Sequence, residues 1–336
     1  MASPTRRAPV LPLLLPTNRP SARFYDGGPQ IDAFRGLARG ADHTPEDWVG
    51  STTAVRGQAP AGLTRLDDGS LLRDAVEADP AGWLGPGHVA RWGADAMLLV
   101  KLLDAGQRLP VHAHPDDAFA ARELASAHGK AEAWYILAPG TVHLGLREDV
   151  DAARLRALVE AQDTTALLGL LHAVEVEAGD AVLVPPGTLH AIGRSVLLVE
   201  VQQPTDFSIL LEWRGFAIDG TADGHLGLGF ERALGAVDTR GLTGEDLAGL
   251  VRRAPSAGSV LPQEADAWFR LDRVTAQAAF EAGFAVVVAT AGTTLLHTRD
   301  GEVALPAGAT AVVPAAAGVL TVDTDGAALV ARPPAP

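Results

Sequence analysis

The sequence predicts a mainly β protein made of two β-barrel units, with a helical insertion in the first unit. The 336 residues include 36 glycines and 23 prolines, which supply the many turns that short strands need. Apolar runs of strand length recur from residue 96 onward. A spacing of Gly, five residues and Pro is found at 179–185 and again at 308–314. The repeat of this spacing indicates two related β units.

The N-terminal part combines a short apolar run with two helical patterns. The run Val10 to Leu15 follows two arginines, as in a signal peptide, but Pro12 interrupts it and Pro16 ends it. It is also shorter than the roughly 7–15 residues of a signal-peptide core, so we interpret it as a first strand. A helix is predicted to start at 44–47, where Thr and Pro precede two acids, and another lies within 63–81.

Strand and helix patterns alternate in the rest of the chain. Strands are predicted at 96–103, 109–114, 133–137, 174–176, 181–184 and 196–201, and helices at 116–128 and 149–171, with a further helix starting at 243–246. We predict a catalytic domain over 1–250, with its helical insertion around 149–172. A second, all-β domain is predicted over 255–336, after a stretch rich in Pro, Gly and Ser.

Composition excludes several functions. The formal net charge of −14 disfavours nucleic-acid and anionic-membrane partners. The chain has no cysteine, so disulfides, thiolate metal sites and thiol catalysis are excluded, and a cytoplasmic location is expected. We predict a small-molecule partner and a monomer or homodimer.

Two histidine motifs predict a metal site. In His112-Ala113-His114, residues two apart on a strand point to the same face, so both imidazoles can bind one ion. The second motif runs from Gly179 to His190 and contains Pro185-Pro186-Gly187, a tight reversal that brings His190 to the start of a strand. Its spacing, G-x5-P-x-G-x2-H, is that of the second metal motif of the cupin barrel. Glu132 lies between the two motifs and precedes an aromatic strand.

These segments resemble the type I mannose-6-phosphate isomerases, zinc enzymes of the cupin (jelly-roll) superfamily. The resemblance covers about a third of the chain and rests on five segments: 100–103, 109–117, 129–137, 179–192 and 200–206. It implies that His114, Glu132 and His190 bind zinc, one ion per chain. The family's fourth ligand is usually a glutamine, and His112 occupies that position. Three imidazoles and a carboxylate also suit Mn²⁺, Fe²⁺, Co²⁺ or Ni²⁺.

The resemblance also implies the reaction and the remaining site residues. The expected reaction is aldose–ketose isomerisation, with mannose 6-phosphate and fructose 6-phosphate as substrates. Lys101 and Lys130 are the only lysines among 27 basic residues. We predict that Lys101 binds the substrate and that Lys130 carries the proton if its pKa is lowered. The family arginine that should follow residue 206 is replaced by an apolar run, and Arg214 is the candidate substitute.

Three alternatives stay open on the sequence alone. One is a divergent isomerase that acts on another sugar, phosphorylated or not. The others are an Fe²⁺-dependent cupin oxygenase and a sugar-binding cupin without catalysis. The second β unit is expected to lack metal, because Val319 stands where the first unit has His190.

Overall fold

The computed structural model describes residues 7–21 and 23–336. The part of the chain up to residue 252 contributes strands β1 Leu13–Leu14, β2 Glu46–Val49, β3 Leu99–Asp104, β4 His112–Ala113, β5 Glu132–Ala138, β6 Gly140–Leu146, β7 Leu171–Val176, β8 Ala181–Val184, β9 His190–Ile192, β10 Leu197–Gln202, β11 Ile209–Leu210 and β12 Val251–Arg252. The C-terminal part contributes β13 Gly258–Ser259, β14 Arg270–Val274, β15 Gln277–Phe280, β16 Ala285–Ala291, β17 Thr293–Thr298, β18 Gly301–Pro306, β19 Thr310–Val313, β20 Leu320–Thr324 and β21 Ala327–Arg332.

Short helices connect these strands. They are α1 Pro29–Phe34, α2 Leu72–Ala78, α3 Pro80–Leu84, α4 Pro86–Trp92, α5 Asp117–Leu124, α6 Ala152–Ala161, α7 Thr164–Gly169, α8 Gly220–Asp223, α9 Phe230–Ala233 and α10 Gly244–Leu250. Among the described residues, none of these helices is long and apolar enough to cross a membrane. The predicted mainly β class is confirmed.

The strands form two pairs of antiparallel sheets. The first sheet has the order β12-β8-β5-β10-β3-β2, and the second has the order β11-β4-β9-β6-β7. They pack face to face through a buried apolar cluster that includes Trp134 and Ile136 of β5 and Val142 and Ile192 of β6 and β9. Such alternating inward side chains exclude water between two sheets. The metal-binding motifs lie on these two sheets.

The C-terminal strands form the second pair. The third sheet has the order β1-β19-β16-β21-β14-β13, and the fourth has the order β15-β20-β17-β18. The N-terminal strand β1 therefore belongs to the C-terminal sheet, with Leu13 opposite Val312. Val319 is 59% exposed in the turn before β20. The division into domains 1–250 and 255–336, and the absence of metal from the second, stay predictions.

One local prediction for the N-terminal part was wrong and another is confirmed. Residues 46–49 form the buried strand β2 instead of a helix, because tertiary partners override the N-cap pattern. Glu46 accepts hydrogen bonds from Tyr25 and Trp48, and Asp47 pairs with Arg35 at 2.7 Å. The helix predicted within 63–81 is α2, at 72–78, and a further helix, α3, starts at residue 80.

Several other predicted elements are confirmed. The 149–171 segment forms α6 and α7, and Asp116 caps α5 by accepting a hydrogen bond from the Phe119 amide. The helix predicted from residue 243 is α10, which begins with a capping box between Thr243 and Asp246. The strands predicted at 133–137 and 181–184 are β5 and β8.

Gly193, just after β9, makes the closest approach between two backbones near the site. A Cβ added there would lie 2.0 Å from the Thr141 carbonyl oxygen. We expect Gly193→Ala to lower the free energy of unfolding by about 1–3 kcal/mol, since β6 and β9 would have to separate. Denaturant unfolding measures this difference.

The matched control is Gly169→Ala, where an added Cβ would meet no atom within 4 Å. Gly169 is the last residue of helix α7, so alanine there is expected to be neutral or slightly stabilising. Equal stability of the two variants would show that the backbones at Gly193 tolerate a side chain.

Candidate metal centre

Three histidines from the predicted motifs meet between the first two sheets. His112 in β4 stands directly opposite His190 in β9, and His114 follows β4 two residues later. The potential ligand atoms of these three side chains lie within 4.8 Å of one another, and all three residues are buried. The structure therefore brings the HxH pair and the distant histidine to one point, where they could hold a metal ion.

Hydrogen bonds to the backbone fix the orientation of each ring. The Nδ1 atoms of His112, His114 and His190 lie 2.8, 2.7 and 2.8 Å from the carbonyl oxygens of Pro110, Phe207 and Thr188, respectively. A carbonyl oxygen only accepts hydrogen bonds, so each Nδ1 must carry the proton and donate it. In a neutral ring, Nε2 then carries the lone pair, which is the form that binds a metal.

Burial favours the neutral form of His112 and His114. It is the main cause that lowers the pKa of His112 well below its ordinary value, and the neighbouring His190 adds to the effect. Burial also lowers the pKa of His114 to about 3, with a further contribution from Lys130. Because a protonated imidazole has no lone pair to offer, a low pKa keeps both rings ready to bind a cation at neutral pH.

Glu132 completes this group from the opposite sheet. Its carboxylate lies 3.0 Å from His114 Nε2 and 3.2 Å from His190 Nε2, and Trp134 donates a hydrogen bond to it over 3.1 Å. His190 Nε2 is buried without a hydrogen-bond partner in the described residues, and Glu132 Oε2 is buried beside His114 and Lys130. Buried polar atoms without such partners are uncommon and favour an additional binding partner. Three imidazoles beside a carboxylate are a donor set that fits a divalent cation.

A cleft opens beside this group, and both lysines line it. The Lys130 ammonium lies 2.9 Å from Glu132 Oε2 and 3.1 Å from His114 Nε2. The Lys101 ammonium lies 3.1 Å from the carboxylate of Glu200. Lys130 is therefore buried next to two of the candidate metal ligands, and Lys101 is buried beside Glu200.

The charge state of Lys130 differs from the expectation. Burial alone lowers its pKa, but Glu132, Glu200 and Asp206 outweigh burial and raise the pKa above the ordinary value. The side chain is therefore a protonated ammonium in the metal-free chain. The sequence argument considered burial and missed the carboxylates that surround it.

Arg214 lies away from the other predicted residues. Its side chain is exposed, and Nη2 donates a hydrogen bond to the Ala161 carbonyl at 3.3 Å. Its backbone amide is held by the Gln162 side chain, which directs the chain away from the cleft. The structure does not bring Arg214 to the metal centre, and a catalytic role for it is without positional support.

Four cleft residues were missed as site residues: Arg23, Tyr25, Glu46 and Glu200. Glu200 stands opposite Lys101 and Trp134 in the first sheet. Burial raises the pKa of its carboxyl group, although Lys101 opposes this effect. The sequence signal for Glu200 is that it is the one acidic residue in the otherwise apolar stretch 197–201. The other three depend on how the N-terminal loop packs, which the motifs do not reveal.

Comparisons with known proteins agree with this architecture. No family model matches the chain. Over 191 residues it is 32% identical to the Bacillus subtilis protein named "Probable mannose-6-phosphate isomerase GmuF", covering 55% of this chain and 56% of that protein. Over 111 residues it is 39% identical to the mannose-6-phosphate isomerase of Streptococcus mutans, covering 32% of this chain and 34% of that protein. Over these parts of its length, the chain is similar in sequence to proteins named as mannose-6-phosphate isomerases.

Solved structures of such isomerases share the fold along the whole chain. The mannose-6-phosphate isomerase of Bacillus subtilis superposes with a TM-score of 0.70 at 20% identity, over 96% of this chain and 99% of that one. A phosphomannose isomerase mutant from Salmonella typhimurium gives a TM-score of 0.74 at 15% identity, over 97% and 100%. In sequence, the chain spans 34% of the length of the Streptococcus mutans protein and 56% of the length of GmuF.

Proposed function

We propose that this protein is a metal-dependent aldose–ketose isomerase. The observation that carries the proposal is the arrangement of three buried imidazoles, whose potential ligand atoms lie within 4.8 Å of one another beside a cleft lined by Lys130 and Glu200. His112, His114, Glu132 and His190 would hold the ion, with Zn²⁺ as the expected metal. A bound divalent ion supplies Lewis-acid polarisation of substrate oxygens.

The protein's own side chains are suited to the proton transfers of such a reaction. Isomerisation moves a proton between two neighbouring carbons and also shifts one between their oxygens. Lys130 Nζ is an ammonium at the metal end of the cleft and can donate a proton to a substrate oxygen. Glu200 presents a buried carboxylate with a raised pKa, which suits a group that removes a proton from carbon and returns it.

Burial strengthens the electrostatic interactions of the charged side chains in the cleft. Glu200, Lys130 and Lys101 are each at most 5% exposed, so little water screens their charges. Lys101 holds the Glu200 carboxylate at 3.1 Å, and Trp48 covers the Lys101 ammonium at 4.8 Å from its ring centre. Lys101 therefore orients Glu200 and can also contact a bound sugar.

The resemblance predicts mannose 6-phosphate and fructose 6-phosphate as the substrate pair, and the curated relatives carry that activity in their names. Unphosphorylated mannose and fructose are the alternative pair, since they undergo the same bond changes. An Fe²⁺ oxygenase could use the same metal ligands but would form a different product. A non-catalytic binding protein could use them too but would form no product.

The test is a turnover assay with the zinc-loaded protein. Mannose and fructose, each with and without the 6-phosphate, are supplied separately, and formation of the partner sugar is measured by chromatography. We expect interconversion in both directions without oxygen consumption. Oxygen uptake by the Fe²⁺-loaded protein would favour an oxygenase. Saturable binding of these sugars without turnover would favour a binding protein.

A further inference from the structure

Lys130 lies on a short connecting segment, outside the regular strands. At residues 129–131, helix α5 has ended and strand β5 has not yet begun. These three residues are nevertheless buried. Buried backbone groups need hydrogen-bond partners, and here no helix or strand supplies them. The position of the Lys130 backbone therefore depends on groups from other parts of the chain.

Both neighbours of Lys130 are held by side chains. The Gly129 amide donates a hydrogen bond to Asp117 Oδ1 at 2.8 Å. On the other side, the Ala131 amide donates to Gln203 Oε1 at 2.8 Å, and the Gln203 amide donates to the Ala131 carbonyl at 3.0 Å. Lys130 is thus fixed between two side-chain contacts.

Gln203 takes part in both of these contacts. Its Nε2 donates a hydrogen bond at 2.8 Å to Asp117 Oδ1, the oxygen that also accepts from Gly129. Because the Ala131 N–H only donates and this oxygen accepts, the orientation of the Gln203 amide is determined. Gln203 is 3% exposed, whereas Asp117 lies at the surface. The buried glutamine therefore anchors the exposed carboxyl group.

The Lys130 ammonium reaches the metal centre from this fixed backbone. Its Nζ lies 2.9 Å from Glu132 Oε2 and 3.1 Å from His114 Nε2. A lysine side chain is a flexible four-carbon chain, so its reach depends on where its Cα lies. Displacing a reacting group by about 1 Å can lower a rate by about 10²-fold.

We infer that Gln203 is a positioning residue for Lys130. It fixes the backbone on both sides of the lysine and thereby directs the ammonium toward the metal centre and the cleft. Gln203 does not line the cleft in the described part of the chain, so it acts through the lysine and not on the substrate. The kinetic consequence rests on the proposed isomerase function, but the effect on the order of the lysine side chain does not.

Glu132 depends less on Gln203 than Lys130 does. It is the first residue of β5 and is paired with Val184 in β8 on one side and with Gln202 in β10 on the other. Sheet pairing therefore holds this metal ligand from both sides. Gln203 variants are expected to keep one zinc ion per chain, which metal analysis checks.

The first experiment compares kcat and KM of the zinc-loaded wild type and Gln203→Met, which keeps most of the volume and loses both side-chain hydrogen bonds. We expect kcat to fall by about 10- to 100-fold while KM stays within about threefold. In a Lys130→Met background, the same substitution should change kcat by less than about threefold, because the lysine through which it acts is gone. No loss of kcat in Gln203→Met, or an equal loss in both backgrounds, overturns the inference.

The second experiment is NMR of the zinc-loaded protein and needs no turnover, so it decides the question even if the proposed function fails. Lys101 and Lys130 are the only lysines, so ¹³C-labelled lysine gives two Cε signals. The signal that disappears in Lys130→Met belongs to Lys130. We expect its two Hε protons to have distinct chemical shifts in the wild type, as in an ordered side chain. In Gln203→Met these shifts should converge, while those of Lys101 stay unchanged.

A second variant keeps the NMR test decisive if Gln203→Met does not fold. Gln203→Glu keeps the size of the side chain and the oxygen that accepts from Ala131. It turns an oxygen instead of an amino group toward Asp117, so this contact is lost. The Hε shifts of Lys130 should converge in this variant as well.

Gln162→Met is the matched control for a general loosening of the structure. Gln162 is also buried, and its side chain makes hydrogen bonds to backbone groups of residues 159, 211, 213 and 214. This variant should leave the Lys130 signal as in the wild type. The inference is overturned if the Lys130 shifts stay distinct in the folded Gln203 variants, or if Gln162→Met makes them converge as much.

Discussion

Replacing His190 by alanine is expected to remove the metal and to abolish isomerisation. His190 supplies one of three potential imidazole ligand atoms that lie within 4.8 Å of one another, and it is fully buried. Two imidazoles and a carboxylate remain, so an ion would lose one of its four expected ligands and bind more weakly. We expect the metal content after dialysis to fall from one ion per chain to nearly none and kcat/KM to fall by more than about 100-fold.

The metal effect can be separated from a folding effect. A metal at 100 times its Kd should stabilise the wild type by about 2.7 kcal/mol, and the variant should show little of this gain. Unfolding midpoints with and without Zn²⁺ measure it. His297→Ala is the matched control, since His297 is 37% exposed in β17, in the C-terminal pair of sheets. A His190→Ala protein that keeps one ion and wild-type turnover would contradict the proposed centre.

Replacing Lys130 by methionine is expected to lower kcat by about 10²–10⁴-fold, the usual contribution of a positioned proton donor or base. Methionine fills most of the space of the lysine chain and removes only the ammonium that lies 2.9 Å from Glu132 and 3.1 Å from His114. Steady-state kinetics measures the loss. Metal content should stay at one ion per chain, since no ligand is removed.

The lysine prediction has a surface control and a clear opposite result. Arg299→Met removes a charge that is 82% exposed and should leave kcat unchanged. If Lys130→Met keeps its zinc and its kcat stays within threefold of the wild type, the ammonium takes no part in the chemistry. Glu200 would then be the proton carrier to test next.

The histidines of the metal centre were predictable because local chain geometry fixes them. The HxH pair needs only the alternation of a strand. Gly187 has the positive φ of 85° that the Pro-Pro-Gly turn requires, and its amide donates a hydrogen bond to the His114 carbonyl at 2.7 Å. The second motif is thus joined to the first by the turn that the sequence predicted.

The cleft charges were less predictable because they depend on strand register and on a loop. Glu200 meets Lys101 only because β10 and β3 pair in one particular register. Arg23 reaches Glu46 from the N-terminal loop, and this contact also explains why 46–49 is a strand and not a helix. Local propensity cannot reveal such partners, since they come from distant parts of the chain.

The carbonyl acceptors behind the three imidazoles affect how the centre tolerates mutation. Every amino acid carries a backbone carbonyl, so no substitution at position 110, 188 or 207 deletes the acceptor for Nδ1. Side-chain acceptors at the same places could be lost in one mutational step. The orientation of the imidazoles is therefore set by the path of the main chain. The side chains at the acceptor positions can change without loss of this orientation, as long as that path is kept.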